Sequence, residues 1–298
     1  MTAVLESRGL GKRYRKRWAL RDCSLSVPAG HVTGLVGPNG AGKTTLLNLA
    51  VGLLEPSEGT VETAGGRPAS SPEQLARVGF VAQDTPTYAG LSVTDHLKLG
   101  AHLNPGWDAE VAERRIARLG LDPGQKAGKL SGGQRAQLAL TLAIAKRPDV
   151  LILDEPIGSL DPLARREFLQ TLMEVTAEHE LSVVMSSHLI ADLDRVCDYL
   201  IVLVASRVLV AGEVDALLAS HYQVTGSRRE LAELPADWEI ISASYTDRQS
   251  TLLVRTELPI VDSTMTVDHI GLEDLVLAYM SQATAPVRAA SAALEVQR

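Results

Sequence analysis

The stretch LVGPNGAGKTTLL occupies residues 35–47, and from Gly37 to Thr44 it fits the spacing G-x-x-x-x-G-K-[ST]. Ahead of it, HVTGLVG (31–37) is an apolar run ending in glycine; behind it, TTLLNLAVGLL (44–54) carries apolar residues at helical spacing. Strand, glycine turn and helix in that order are the setting in which a loop can hold phosphate. Converging backbone N–H groups can neutralise a triphosphate without any loss of side-chain entropy. Gly37, Gly40 and Gly42, with Pro38, Asn39 and Ala41 between them, let the chain curl into such a cradle, and the helix that follows adds its positive end. Lys43 then supplies a point charge to the β- and γ-phosphates, and the Thr44 hydroxyl is placed for Mg²⁺.

A loop of this kind needs a carboxylate opposite to hold the metal. DVLILDE (149–155) delivers one, because an apolar strand presents Asp154 at its C-terminal end, where open α/β sheets bind ligands. Asp154 is expected to hold Mg²⁺ directly or through water, and Glu155 to accept a proton from an attacking water. These parts describe a nucleotide hydrolase or a kinase and do not separate the two.

The bulk composition narrows the partners. The chain has 298 residues, 29 basic against 36 acidic, for a net charge of −7, which argues against nucleic acid as the main partner. Aromatics are only 4%, too few for a base-stacking surface. Cys23 and Cys197 show no CxxC or metal spacing and fit small buried hydrophobes in a reducing compartment. The N-terminus, MTAVLESRGL, lacks the layout of a signal peptide. The longest apolar runs, LALTLAIA and YLIVLVA, fall short of the roughly 20 residues that a membrane span needs. Any membrane role is therefore expected to come through a partner.

Along the chain, RVGFVAQ (77–83) reads as a strand, and the pattern from about 85 to 147 is helical. Ser92 and Asp108 are expected N-caps, Gly120 a helix stop, and Pro148 the end of a helix over GGQRAQLALTLAIAKRP. LSVVMSSH (181–188) and YLIVLVA (199–205) read as further buried strands. The alternation predicts an α/β fold, a parallel sheet covered on both faces with a helical insertion. A first domain over 1–220 and a small accessory domain over 221–298 are expected. The second carries six arginines against eleven acids, with EIISASY and STLLVRT as a strand pair, GLEDLVLAYMSQ as a closing helix, and a loosely held end from 284. The basic run Lys12, Arg13, Arg15, Lys16, Arg17 reads either as a solvated hairpin or as a phosphate-facing or membrane-facing patch.

LSGGQ (130–134) adds a second amide-rich cradle, Ser131, Gly132, Gly133 and Gln134, ahead of a helix. One nucleotide does not need two cradles; the second is explained if it serves a nucleotide bound by another copy. At this point the chain resembles the ATP-binding subunit of an ABC transporter, over residues 4 to about 218. The resemblance implies a P-loop NTPase fold of the ABC ATPase type: a mixed sheet core, an antiparallel β subdomain and a helical insertion, here with a small α+β extension. It implies ATP and Mg²⁺ as cofactors. Tyr14 falls where the family stacks an aromatic on adenine. Gln83 matches the glutamine that senses metal and lytic water, Asp161 the aspartate that reports across the dimer, and His188 the histidine that contacts γ-phosphate. Two copies are then expected to close head to tail, each ATP lying between Gly37–Thr45 of one, Thr45 included, and Ser131–Gln134 of the other.

The family's partners are a second ATPase subunit and an integral membrane permease, which docks on the helical segment 85–129 and places the chain at the cytoplasmic face of the membrane. NPGWD and GLEDLVLAY resemble exporter-type ATPases that work with ABC-2-like permeases; an importer subunit is the alternative. Ser206 stands where the family usually has glycine, and Gly158 and Ser159 depart from its commonest order. A soluble ABC ATPase of translation or DNA repair stays open as a rival, against which stand the single ATPase unit and the lack of sustained heptads between Gln83 and Leu130. A phosphate-loop kinase leaves LSGGQ unexplained.

Overall fold

Five parallel strands end on the same edge of one sheet, and that edge carries the glycine-rich loop, Asp154, Glu155 and His188. The computed structural model describes residues 3–282 except 86, 180, 228–229, 233, 236, 247–248, 259 and 261–264. The expected loose end from 284 lies outside the described residues, as do Arg228, Arg229, Arg248, Arg288 and Arg298 of the acidic tail.

In chain order the elements begin with β1 (Ala3–Tyr14), β2 (Arg17–Pro28), β3 (Val32–Val36), α1 (Lys43–Ala50), β4 (Glu58–Thr63), α2 (Pro72–Ala76) and β5 (Val78–Val81). The helical insertion contributes α3 (Val93–Leu103), α4 (Ala109–Arg118) and α5 (Gly132–Ala145). Then come β6 (Val150–Leu153), α6 (Pro162–His179), β7 (Ser182–Ser186), α7 (Ile190–Leu193), β8 (Tyr199–Val204), β9 (Arg207–Glu213) and α8 (Val214–Ala219). The chain closes with β10 (His221–Gly226), β11 (Glu239–Tyr245), β12 (Ser250–Arg255), β13 (Thr266–His269) and α9 (Leu272–Gln282).

The central six-stranded sheet has the order β5-β6-β7-β3-β8-β9, parallel except for the β8–β9 hairpin at one edge. Its runs are apolar throughout because both faces are covered. Along β6, Val150 and Ile152 join the core shared with α1 and the N-terminal strands, while Leu151 and Leu153 face the core shared with α5 and α6. Each such side chain fully buried contributes roughly 1.5–3 kcal/mol. Beside this sheet, β2-β1-β4 forms the antiparallel subdomain. The insertion has its own small core of Val93, Ile116, Leu121, Ala127, Leu130 and Leu138.

Ser92 and Asp108 cap α3 and α4 as expected, and Gly120 takes φ +62° just beyond α4. α1 is shorter than expected: it stops at Ala50, with Gly52 at φ +80°. The C-terminal strand pair is in fact part of a four-stranded sheet, β11-β12-β10-β13. Its closing helix α9 buries Leu272, Leu275, Val276 and Tyr279 in the same hydrophobic cluster as β6, β7 and α6. Cys23 is buried and Cys197 half-buried; burial pushes both thiols up, so neither is a ready nucleophile. Among the described residues no helix is long and apolar enough to cross a membrane. In the β8–β9 turn both Ala205 and Ser206 hold positive φ, a strain offset where the Ser206 carbonyl accepts from Arg21 N (2.8 Å) and its hydroxyl donates to Trp18 O (3.3 Å).

Candidate active site

The loop between β3 and α1 is shaped for close approach. Gly42 is the N-cap of α1 at φ +114°, and a Cβ there would run into Ala19 O and Leu20. With no side chain capping α1, the first amides of the helix are left for a ligand. The Lys43 ammonium is buried; it donates to Gly37 O (2.8 Å) and lies 3.7 Å from Glu155 Oε1.

Around that loop lies a cavity of about 680 Å³ whose wall comprises Tyr14, Arg17, Trp18, Ala19, Asn39, Gly40, Ala41, Gly42, Lys43, Thr44, Thr45, Gln83, Glu155 and His188. Distant parts of the sequence meet here because β3, β5, β6 and β7 are parallel neighbours whose C-terminal ends share one edge. Glu155 carries φ +44°, so its side chain turns out of the β6 line. Its Oε2 lies 3.2 Å from His188 Nδ1. Asp154 is 2% exposed and sits behind this wall, where its Oδ1 accepts from Ser186 Oγ at 2.7 Å. The same Ser186 oxygen accepts from Glu155 N at 2.8 Å.

Thr44, Gln83 and Asp154 offer a hydroxyl, an amide carbonyl and a carboxylate, all hard oxygen donors. The described residues contain no cluster of three or more His, Cys, Asp or Glu able to cage an ion. That donor set fits Mg²⁺, which takes few protein ligands and completes its shell with phosphate and water.

Ser131, Gly132, Gly133, Gln134 and Asp161 do not reach this cavity. They form a second constellation at the N-termini of α5 and α6. Ser131 Oγ accepts from Gln134 N (3.2 Å) while Gln134 Oε1 accepts from Ser131 N (2.9 Å), a reciprocal cap. Asp161 Oδ1 accepts from Leu163 N and Ala164 N, both at 3.0 Å, and so caps α6. Gly133 lets the two helix starts touch, since a Cβ on it would lie 2.8 Å from the Ala164 Cβ.

Comparison with known proteins agrees with this geometry. The family described as ABC transporter matches residues 20–158. The thiamine import ATP-binding protein ThiQ of Salmonella choleraesuis is 36% identical over 205 residues, 66% of this chain and 86% of that protein. The chain belongs to the ABC transporter ATP-binding family. The Nod factor export ATP-binding protein I of Cupriavidus pinatubonensis is 35% identical over 229 residues, covering 74% of this chain and 70% of that one. A solved ATP-binding subunit of an ABC transporter superposes with a TM-score of 0.65 at 28% identity, covering 77% of this chain and 93% of that structure. The structure of this ABC ATPase thus has the expected fold class.

The site contains residues that the sequence did not single out. Trp18 lines the cavity, and the Arg13 guanidinium lies over its ring at 5.3 Å. Tyr14, the expected adenine partner, is 47% exposed with Lys12 Nζ 5.5 Å from its ring centre. Arg17 pairs with Tyr14 across the β1–β2 turn and lines the same wall. The basic run is therefore a hairpin tip, and its Arg17 end faces the cavity. Ser186 was also missed; its only signal was its place two residues before His188 in MSSH.

Proposed function

We propose that this ABC ATPase hydrolyses ATP, working as a pair of copies, and powers transport through a separate permease, in the export direction. The observation that carries the reading is the division of the parts. One cavity gathers Lys43, Thr44, Gln83, Glu155 and His188, and a second cradle, Ser131–Gln134 with Asp161, stands apart on the starts of α5 and α6. Two copies set head to tail would let each cradle close on the other's cavity.

In such a site Tyr14 stacks on the adenine, and the α1 amides with Lys43 hold the phosphates. Bound Mg²⁺, held by Thr44, Gln83 and Asp154, would supply charge neutralisation of the phosphates. Glu155 takes the proton of the attacking water, and His188 touches the γ-phosphate while steadying Glu155. Once the phosphate charge is divided, the two cradles lose what held them together, which turns hydrolysis into motion. The permease would receive that motion on the helical segment 85–129.

Export is favoured because the likeness to the Nod factor export protein extends over more of this chain than the likeness to ThiQ, 74% against 66%. The importer reading is supported by the identity to ThiQ, 36%. The test is purification from detergent-solubilised membranes together with ATPase assay. Recovery with an integral membrane protein, and outward-directed transport after joint reconstitution, are expected. Recovery with ribosomes or DNA instead would overturn the transporter reading. Lys43→Ala should lose nucleotide affinity by about tenfold or more, read by titration calorimetry; unchanged affinity would remove the phosphate-loop assignment.

A further inference from the structure

We propose that Ser186 is a positioning residue of the reaction, its hydroxyl locking the backbone of Glu155 to the carboxylate of Asp154 and so aiming the general base. The inference rests on the ATPase reading above. Ser186 closes β7, the strand between β6 and β3, is wholly buried, and pairs in register with Leu35 of the strand that feeds the phosphate loop. Its Oγ accepts from Glu155 N at 2.8 Å and donates to Asp154 Oδ1 at 2.7 Å. The direction of this chain is fixed by chemistry. A backbone N–H can only donate, so the Ser186 oxygen accepts there and its single proton points to Asp154 Oδ1. Aligned donors of this kind strengthen each other in a buried setting.

Three features make this link more than packing. Asp154 N bonds to Val81 O of β5 at 2.9 Å, whereas Glu155 N, facing the other side of the strand toward β7, is held by a side-chain oxygen, Ser186 Oγ. Glu155 holds φ +44°, a region disfavoured for any residue with a Cβ, and the bond sits at that residue's own nitrogen. The side-chain contacts of Glu155, to Lys43 at 3.7 Å and His188 at 3.2 Å, are to groups that a triphosphate would itself engage. When nucleotide draws those two away, the Ser186 bond to Glu155 N remains, beside the Gly158 N bond to Glu155 O at 3.2 Å, as a contact that does not depend on substrate. Ser186 therefore keeps the base aimed in the state in which it acts.

The test compares Ser186→Ala, Ser186→Thr and Ser186→Val in the full chain, measuring kcat and KM for ATP and, separately, ATP affinity by calorimetry with and without Mg²⁺. Ser186→Ala is expected to lower kcat by about tenfold or more while metal-free ATP affinity stays within about twofold of wild type. Ser186→Thr should recover turnover, and Ser186→Val, which matches threonine in shape but lacks the hydroxyl, should not. The threonine–valine pair reads the hydroxyl even where the alanine variant folds poorly. Turnover by Ser186→Ala within about twofold of wild type would overturn the proposal. So would equal turnover of the threonine and valine variants, or parallel loss of kcat and metal-free affinity, since both outcomes assign the effect to packing. Absence of hydrolysis by the wild-type chain would instead remove the ATPase reading beneath it.

Discussion

Glu155 stands 3.7 Å from the Lys43 ammonium and 3.2 Å from His188 Nδ1, so one carboxylate is shared between the phosphate loop and the end of β7. Replacing it with glutamine keeps the shape and removes the proposed proton acceptor. Glu155→Gln should bind ATP with near wild-type affinity and lose turnover by about 10²-fold or more in a steady-state assay. Arg17 is the second residue with a sharp consequence. It faces the cavity opposite Tyr14, and its positive charge at the mouth should draw the nucleotide in. Arg17→Ala is expected to raise KM for ATP by about three- to tenfold, more at low salt than at high, with a smaller effect on kcat. At this scale legibility was uneven. Lys43, Asp154 and Glu155 announce themselves because their chemistry is tied to a fixed spacing. Arg17 was visible only as one of a basic run with two readings, and Trp18 not at all, because the hairpin that holds them is local but its approach to the phosphate loop is not. Ser186 is placed by pairing with a strand far earlier in the chain, Leu35 being its partner.

Among the elements, the start of α5 does two jobs with one serine. Ser131 caps the helix through Gln134 N, and its neighbouring amides are the proposed second phosphate cradle. Ser131→Ala should therefore lower the melting temperature through loss of a cap worth about 1 kcal/mol, and Ser131→Thr should restore it. The buried strands β3, β6, β7 and β8 were readable as continuous apolar runs, since each has a hydrophobic cluster on both faces. β10 was not. Its sequence HYQVTG buries only His221 and Val224, three residues apart and without a strand's period of two, and is placed as a strand by pairing to β12 and β13, neither of which is local. The same reason hid the four-stranded sheet, of which only the β11–β12 pair was visible in the sequence.

Over the whole molecule, α9 returns the C-terminal sheet to the central core, and the seam is marked by His221. Its Nδ1 lies 2.7 Å from Leu217 O, which can only accept, so Nδ1 carries the proton and Nε2 accepts from the Tyr279 hydroxyl at 2.9 Å. Burial lowers the imidazole pKa and pushes the Tyr279 phenol up to about 12. A lowered histidine pKa means the folded state prefers the neutral ring. Its contribution is complete above the unfolded value of about 6.5 and is lost as pH falls through the folded one. The melting-temperature advantage of the wild type over His221→Phe should thus shrink as pH drops below about 6.5; an advantage independent of pH would refute the linkage. The arrangement of the two cradles in separate places on one chain is best tested by sedimentation of Glu155→Gln with ATP and Mg²⁺. Nucleotide should convert the single copy to a pair, and adding Ser131→Arg should abolish pairing while ATP binding persists. Pairing that survives Ser131→Arg, or ATP-saturated Glu155→Gln that stays a single copy, would contradict a nucleotide clamped between two chains.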